Sequence, residues 1–130
     1  GMRELLSRHM TRYRRLEEEI AWYDQQLKLR VEADEPCQRL MSIPGFGPVV
    51  SSAFRCALGD GKQFRRGREV SASLGIVPRQ HSTGGKECLL GISKRGNPHL
   101  RTLLIHAARS VVRYAHRKDD RLSVWIQALL

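Results

Sequence analysis

Apolar residues recur at steps of three and four along residues 3–34, where no Gly or Pro interrupts the chain. The stripe runs from Leu6 to Val31 and predicts an amphipathic helix of roughly eight turns. Such a stripe has to be covered by an apolar partner. Two partners are compatible with the pattern: another helix in a coiled coil, or the rest of this chain, onto which the helix would fold back.

Gly and Pro divide the rest of the chain into shorter predicted elements. Glu35-Pro36 ends the first helix, because proline lacks an N–H group and restricts the residue before it. Helices are predicted over 37–42 and 49–58, and a third short helix ends at Leu74. Residues 76–96 are the least helical, and a loose β-hairpin around Gly84-Gly85 is expected there.

Two further helices are predicted near the end of the chain. Asn97-Pro98 opens the first, with Asn as the cap, and its predicted buried face is Leu100, Leu104, Ala107, Ala108, Val111 and Ala115. Asp119 or Asp120 caps the last, and the apolar residues there that need a partner are Val124, Trp125, Ala128 and Leu129. The predicted fold is mainly α. Residues 1–35 form a long coiled-coil-like helix, and 36–130 a compact helical domain with a helix-hairpin-helix and a small β-hairpin or irregular Gly-rich loop.

The charge of the chain indicates a polyanionic partner. Lys and Arg number 23 against 13 Asp and Glu, which gives a net charge of +10. Residues 1–34 hold seven basic and seven acidic side chains, so the excess lies entirely in residues 35–130. The partner surface is therefore expected on the second part of the chain.

Three cysteines, Cys37, Cys56 and Cys88, show no metal-binding or disulfide spacing. They are expected to fill the core as free thiols, which fits a reducing cytoplasm or nucleoid. No signal peptide or membrane span is apparent, and neither a membrane nor a metal site is expected in this chain.

The stretch Ile43-Pro44-Gly45-Phe46-Gly47-Pro48 lies between two predicted helices and has the form of a helix-hairpin-helix turn. Glycines allow a nucleic-acid strand to approach the backbone closely, and the free amides at the start of the second helix favour a phosphate. The residues expected to contact phosphate here are Gly45, Phe46, Gly47 and Val49. The alternative is that the glycines only form a tight corner between two helices.

The segments SIPGFGPVVSSAF, at residues 42–54, and LGIVPRQHSTGGKECLLGISKRGNPHLRTLLIHAARSVV, at residues 74–112, resemble a known family. They are similar to the C-terminal domain of bacterial insertion-sequence transposases related to the pilin-inversion recombinases. Some members of that group are bridge-RNA-guided recombinases. The resemblance covers about residues 37–117.

The resemblance implies a chemistry and a set of partners. In that family a RuvC-like domain holds magnesium through four acidic residues, and the C-terminal domain supplies a serine that attacks DNA. The serine maps to Ser82, with Thr83 as the alternate, and no cofactor is expected in this fragment. DNA is the implied partner, with a guide RNA in some members and a dimer or tetramer formed through the first helix.

A serine hydroxyl needs a proton acceptor and cations that stabilise the phosphate charge. His81, His99 or a metal in the other domain are the candidate activators. His106 is expected to be a packing residue. The further candidate phosphate-binding residues are Lys62, Arg65, Arg66, Arg79, Gly84, Gly85, Lys86, Lys94, Arg95 and Arg101.

Two other functions remain open from the residues. One is a non-catalytic helix-hairpin-helix module that binds DNA or RNA, in which the second glycine-rich turn only holds another phosphate. The other is an RNA-binding protein of ribosomal type. As a transposase fragment, the isolated chain is expected to be inactive, because the metal-binding domain is not part of this sequence.

Overall fold

In a computed structural model, which describes residues 1–80 and 89–130, the chain is mainly helical, as the sequence predicts. The described elements are, in order, α1 (Met2–Ala33), α2 (Glu35–Met41), α3 (Pro48–Leu58), α4 (Gly67–Leu74), β1 (Pro78–Gln80), β2 (Leu89–Ile92), α5 (Pro98–Tyr114), a 3₁₀ turn (Ala115–Arg117) and α6 (Arg121–Leu129). None of the helices in these ranges has the length and apolar content needed to cross a bilayer.

The long helix α1 contacts the rest of the described chain only at its C-terminal end, against α2 and α3. Val31 is buried and Leu27 is half-buried there. The apolar side chains before them are exposed: Leu6, Met10, Tyr13, Leu16, Ile20 and Tyr23. The prediction that α1 folds back on its own domain is therefore wrong for most of its length. Its pairing in a coiled coil stays a prediction.

Asp34 marks the change from α1 to α2. Its backbone is extended, and its carboxylate accepts a hydrogen bond of 3.2 Å from the amide of Cys37, so it caps α2. The same carboxylate lies 3.4 Å from Nε of Arg55 on α3. Because proline is tolerated in the first turn of a helix, α2 begins at Glu35 instead of the predicted residue 37.

The core lies where α3, α4 and α5 meet. Phe54, Leu74 and Leu100 are buried at its centre, one from each of these helices. Partly buried residues pack around them: Leu40, Phe46, Val50, Ala53, Leu58, Val70, Ile76 and Leu104. The core therefore joins α3 and the turn before it to α4 and α5, the helices on either side of the two strands.

Strands β1 and β2 form an antiparallel pair, which confirms the predicted hairpin. Pro78 pairs with Ile92 and Gln80 with Leu89, with an irregular register between them. The residues that connect the two strands lie outside the described ranges.

Helix α5 begins as predicted. The side chain of Asn97 accepts hydrogen bonds of 3.0 and 3.1 Å from the amides of His99 and Leu100. Leu100, Ala107 and Ala115 are buried, whereas Ala108 is exposed, so its assignment to the buried face is wrong.

Asp120, one of the two predicted caps, begins α6 and accepts a hydrogen bond of 3.1 Å from the amide of Ser123. Ser123 and Ile126 are the buried residues of this helix. Val124, Trp125, Ala128 and Leu129, the residues predicted to need a partner, are exposed and lack one in the described part of the chain.

Candidate nucleic-acid interface

Gly45, in the turn between α2 and α3, lies against α5. Its φ is +86°, and a Cβ there would lie 2.9 Å from both the carbonyl oxygen of Ala107 and Cγ2 of Val111. A side chain is excluded for two reasons, since the backbone is left-handed and the space is filled. The glycine therefore fixes the turn on α5. The close backbone approach that the sequence predicted towards nucleic acid is made here to a helix of the protein itself.

Phe46 belongs to the core beneath the turn. Its ring centroid lies 5.1 Å from that of Phe54, and its amide donates a hydrogen bond of 3.0 Å to the carbonyl oxygen of Ile43. The amide is therefore already used within the turn. Its predicted phosphate contact can come only through other atoms, and Phe46 acts mainly as an anchor for the turn.

Gly47 is the N-cap of α3 and faces open space. Its φ is −94°, and nothing lies within 4 Å of the position that a Cβ would take. Because glycine has no side chain to accept from the first turn, the amides of Val49 and Val50 have no hydrogen-bond partner among the described residues. Val49 is half exposed. Free amides and the positive end of the helix dipole are what a phosphate oxygen requires.

A backbone network holds the end of α4 against the start of α5. The amide of Lys94 donates to Gly75 O at 2.9 Å, and that of Asn97 donates to Ser73 O at 3.1 Å. Gly75 and Gly96 both have positive φ, and a Cβ on Gly75 would collide with the backbone of Arg95. The segment with Lys94 and Arg95 is thus fixed through its main chain, while both side chains are exposed.

Arg79 and Arg95 line the same surface groove, of about 460 Å³, together with Pro78, Gln80, Leu90 and Ser93. The pairing of β1 with β2 brings these two predicted phosphate ligands together, although they are distant in sequence. The remaining predicted residues of this region lie outside the described residues: His81, Ser82, Thr83, Gly84, Gly85, Lys86 and Cys88.

Arg101, another predicted phosphate ligand, is half-buried, and its Nη1 donates a hydrogen bond of 3.0 Å to the carbonyl oxygen of Leu74. The guanidinium therefore already caps the end of α4. Lys62 pairs with Asp60 at 3.1 Å, and Arg65 and Arg66 are exposed in the connection between α3 and α4.

After residue 62, ion pairs between described residues do not neutralise the positive charge of the chain. Every ion pair between described residues lies within residues 1–62. Residues 88–118 carry seven Lys and Arg and no acidic residue. Uncompensated positive charge on one segment favours binding to a polyanion.

The sequence analysis missed the exposed face of α5. His106, Arg109 and Arg113 follow at steps of three and four, opposite buried Leu100 and Ala107, and all three are exposed. The prediction that His106 packs in the interior is therefore wrong. The spacing of these basic residues and the absence of acidic residues nearby were the signals that could have indicated this face.

The described residues offer no metal site and no activated thiol. No group of three or more His, Cys, Asp or Glu lies close enough together among them to hold a metal ion, so their side chains do not suit magnesium. Burial raises the pKa of the Cys37 thiol to about 11, which keeps it protonated at neutral pH. Cys56 is exposed, so the prediction that it fills the core is wrong.

A mainly helical domain with open helix amides and an uncompensated basic segment is typical of proteins that contact nucleic acid. Residues 37–122 match the model of the Transposase IS116/IS110/IS902 family. The chain belongs to this family.

Curated relatives match nearly the whole chain. The chain is 47% identical over 129 residues to the transposase for insertion sequence element IS1111A of Coxiella burnetii, with 99% of this chain and 35% of the relative covered. It is 43% identical over 126 residues to the transposase for insertion sequence element IS1328 of Yersinia enterocolitica, with 97% and 38% covered. The chain thus spans about a third of the length of these relatives. No solved structure matches it.

Proposed function

We propose that this chain is the DNA-binding, serine-bearing part of a transposase that cuts and rejoins DNA through a serine-phosphate intermediate. The observation that carries the proposal is the family membership of residues 37–122, joined to the HSTGG segment between two anchored strands. The magnesium-binding RuvC-like domain would lie elsewhere in the full-length protein. Guide RNA is a further proposed partner of that full-length protein.

Two surfaces are proposed to hold the DNA backbone. The first is the start of α3, where the amides of Val49 and Val50 have no hydrogen-bond partner among the described residues and Gly47 leaves open space. The second is the groove that Arg79 and Arg95 line at the base of the hairpin. Contacts of this kind position a strand without reading its sequence, because phosphates are the same at every step.

Ser82 would be the residue that attacks the bound DNA strand. In the proposed step, Oγ of Ser82 forms a bond to phosphorus, and the bond from phosphorus to the leaving sugar oxygen breaks. The serine proton passes to a general base and then to that leaving oxygen. Cations such as Arg79 and Arg95 would stabilise the charge that develops on the phosphate. One ester bond to phosphorus is thus exchanged for another, and the phosphate then links Ser82 to the DNA end. Because the bond energy is conserved in this link, rejoining needs no nucleotide cofactor.

The catalytic proposal is tested in the full-length protein with Ser82→Ala and, as a matched neighbour, Thr83→Val. We expect Ser82→Ala to bind DNA normally and to form no covalent adduct on a nicked donor substrate, whereas Thr83→Val still forms it. An adduct that persists in Ser82→Ala and disappears in Thr83→Val would move the nucleophile to Thr83. If neither variant, nor the wild type, forms an adduct with bound magnesium and DNA, the chain is a non-catalytic binding module.

The binding proposal is tested separately with the 130-residue chain. Neutralising about five phosphates predicts a slope of about −4 to −5 for the logarithm of the association constant against the logarithm of salt concentration. A flat response between about 50 and 200 mM salt would contradict phosphate binding.

We further propose that α1 pairs with α1 of a second copy. Tyr13, Leu16 and Ile20 line an open apolar groove along this helix, and they have no partner in the described chain. The test compares Ile20→Lys with Gln25→Lys, which adds the same charge on the opposite face. We expect sedimentation to show a smaller species only for Ile20→Lys. Equal masses for both variants and the wild type would exclude this interface.

A further inference from the structure

Two arginines lie close to the exposed ring of Tyr114 at the C-terminal end of α5. Cζ of Arg117 is 5.2 Å from the ring centroid, and Cζ of Arg113 is 5.9 Å from it. The ring is 42% exposed, and its hydroxyl makes no hydrogen bond with the described residues. Nε of Arg117 also donates to Nε2 of His116 at 3.3 Å, which helps to hold the guanidinium in place.

Tyr114 also lines a groove of about 200 Å³ next to the helix-hairpin-helix turn. Pro44 and Gly45 of the turn line this groove together with Tyr114 and Lys118. The contact of Gly45 with Ala107 and Val111 fixes the turn in this position. A strand held at the start of α3 can therefore continue past the turn towards the ring of Tyr114.

One acidic residue, Asp120, also lines the groove, but its carboxylate is occupied. It accepts hydrogen bonds from the amide of Ser123 at 3.1 Å and from the hydroxyl of Ser123 at 2.7 Å. Lys118 lines the groove, Arg113 and Arg117 lie at the ring of Tyr114, and Arg109 lies one turn earlier on α5. The acidic residues at this end are Asp119 and Asp120. The balance of charge at this end of the helix is thus positive.

We propose that Tyr114 is a stacking site for an unpaired nucleobase, and that Arg113, Arg117 and Lys118 hold the phosphates on either side of that base. Aromatic rings and guanidinium planes both accept stacked bases, and a cationic groove follows the backbone of a single strand. A base inside a duplex has both faces covered, so this site selects single-stranded nucleic acid. This inference rests on the proposed nucleic-acid binding function and adds a second contact with a different selectivity.

The test measures binding of the 130-residue chain to single-stranded DNA, single-stranded RNA and duplex DNA of one sequence by fluorescence anisotropy. The variants are Tyr114→Leu, which removes the ring, and Tyr114→Phe, which keeps it. Trp22→Leu is the control, because Trp22 is also an exposed aromatic residue but lies on α1, which does not contact α5, and outside the apolar groove of that helix.

We expect Tyr114→Leu to weaken binding of a single strand by about 5-fold to 150-fold, which is the range that the loss of one stacked base predicts. Binding to duplex should change by less than about twofold, and Tyr114→Phe and Trp22→Leu should match the wild type. If Tyr114→Leu weakens binding to only one of the two, single-stranded DNA or single-stranded RNA, the result supports the site and identifies its ligand. Unchanged single-strand binding in both arms would overturn it.

The outcomes separate this inference from the proposed function. If the wild-type chain binds neither duplex nor single strand, the proposed function itself is wrong. If it binds normally and Tyr114→Leu has no effect, only the stacking site is excluded. If Tyr114→Leu does not fold, photocrosslinking of the wild type to an oligonucleotide with 5-bromouracil decides. A crosslink mapped to residues 113–118 supports the site, and crosslinks found only elsewhere exclude it.

Discussion

The guanidinium of Arg101 donates a hydrogen bond of 3.0 Å to the carbonyl oxygen of Leu74, which joins the first turn of α5 to the last turn of α4. The last carbonyls of a helix have no partner within that helix, so a cation there supplies a hydrogen bond and a favourable interaction with the helix dipole. The same junction carries the main-chain bonds of Lys94 and Asn97. This junction therefore fixes the segment just after β2 against the end of α4.

Arg101→Gln should lower the free energy of unfolding by about 1–2 kcal/mol, because a half-buried charged hydrogen bond is lost. Urea denaturation followed by circular dichroism measures this change. Arg109→Gln removes the same charge from an exposed position on the same helix and should change stability by less than about 0.5 kcal/mol. Equal stability of both variants would show that Arg101 is free to act mainly on nucleic acid.

Gly75→Ala should destabilise the fold more than Gly61→Ala. Both glycines have φ near +70°, so both substitutions introduce backbone strain of about 1–2 kcal/mol. Only at Gly75 would the new Cβ collide with the backbone of Arg95, whereas Gly61 has open space. We expect a further loss of about 1–3 kcal/mol at Gly75, measured by urea denaturation. Similar losses at both positions would contradict the tight approach of α4 to Arg95.

Gly47→Asp should stabilise the fold and weaken DNA binding at the same time. An aspartate at the N-cap can accept from the amides of Val49 and Val50, which should raise the free energy of unfolding by about 0.3–1 kcal/mol. The same carboxylate would exclude a phosphate, and the loss of one charged hydrogen bond of about 1.5 kcal/mol weakens binding about tenfold. Thermal denaturation and fluorescence anisotropy measure the two effects.

Gly47→Ser is the matched control for this prediction, since a serine caps the same amides without adding charge. We expect an intermediate loss of binding from Gly47→Ser if the amides themselves hold the phosphate. Wild-type affinity in both variants would exclude the start of α3 as a phosphate site.

The cap of α6 should make stability depend on acidic pH. Hydrogen bonds from the side chain and the amide of Ser123 lower the pKa of Asp120 below its ordinary value. A carboxyl whose pKa is lowered on folding stabilises the fold above its unfolded pKa, and this contribution is lost as pH falls through the folded pKa. The free energy of unfolding should therefore decrease between about pH 5 and pH 2.

Asp120→Asn should reduce this dependence while it retains a capping oxygen. Asp119→Asn removes the same charge one residue earlier and should leave the dependence in place. Urea denaturation at a series of pH values measures the slopes. The same slope in Asp120→Asn and the wild type would show that this cap does not titrate on unfolding.

Features that depend on a few neighbouring residues could be predicted from the sequence. The cap formed by Asn97, the left-handed glycine at Gly75 that ends α4, and the long uninterrupted helix α1 all follow from local chemistry. The pairing of β1 with β2 also follows from the turn residues between them. The start of α2 at Glu35 was not predicted, because Asp34 both ends α1 and caps α2, so no residues separate the two helices beyond Asp34 itself.

The roles of residues in the candidate site depended on contacts between distant segments. From the sequence, Gly45, Phe46 and Gly47 were all predicted to contact phosphate. In the structure, Gly45 packs on α5 and Phe46 packs on Phe54. Nothing near Arg101 in the sequence shows that its guanidinium reaches Leu74. The clustering of Arg79 with Arg95 required the pairing of the two strands.

The amino-acid sequence alone determined the helical elements, the family, and the location of the excess positive charge, because capping, periodicity and composition act within short stretches of chain. Only the tertiary structure decided which backbone amides and cations are free to bind a ligand. An amide or a guanidinium is available only when no distant part of the chain already bonds or covers it, and that depends on how the helices pack.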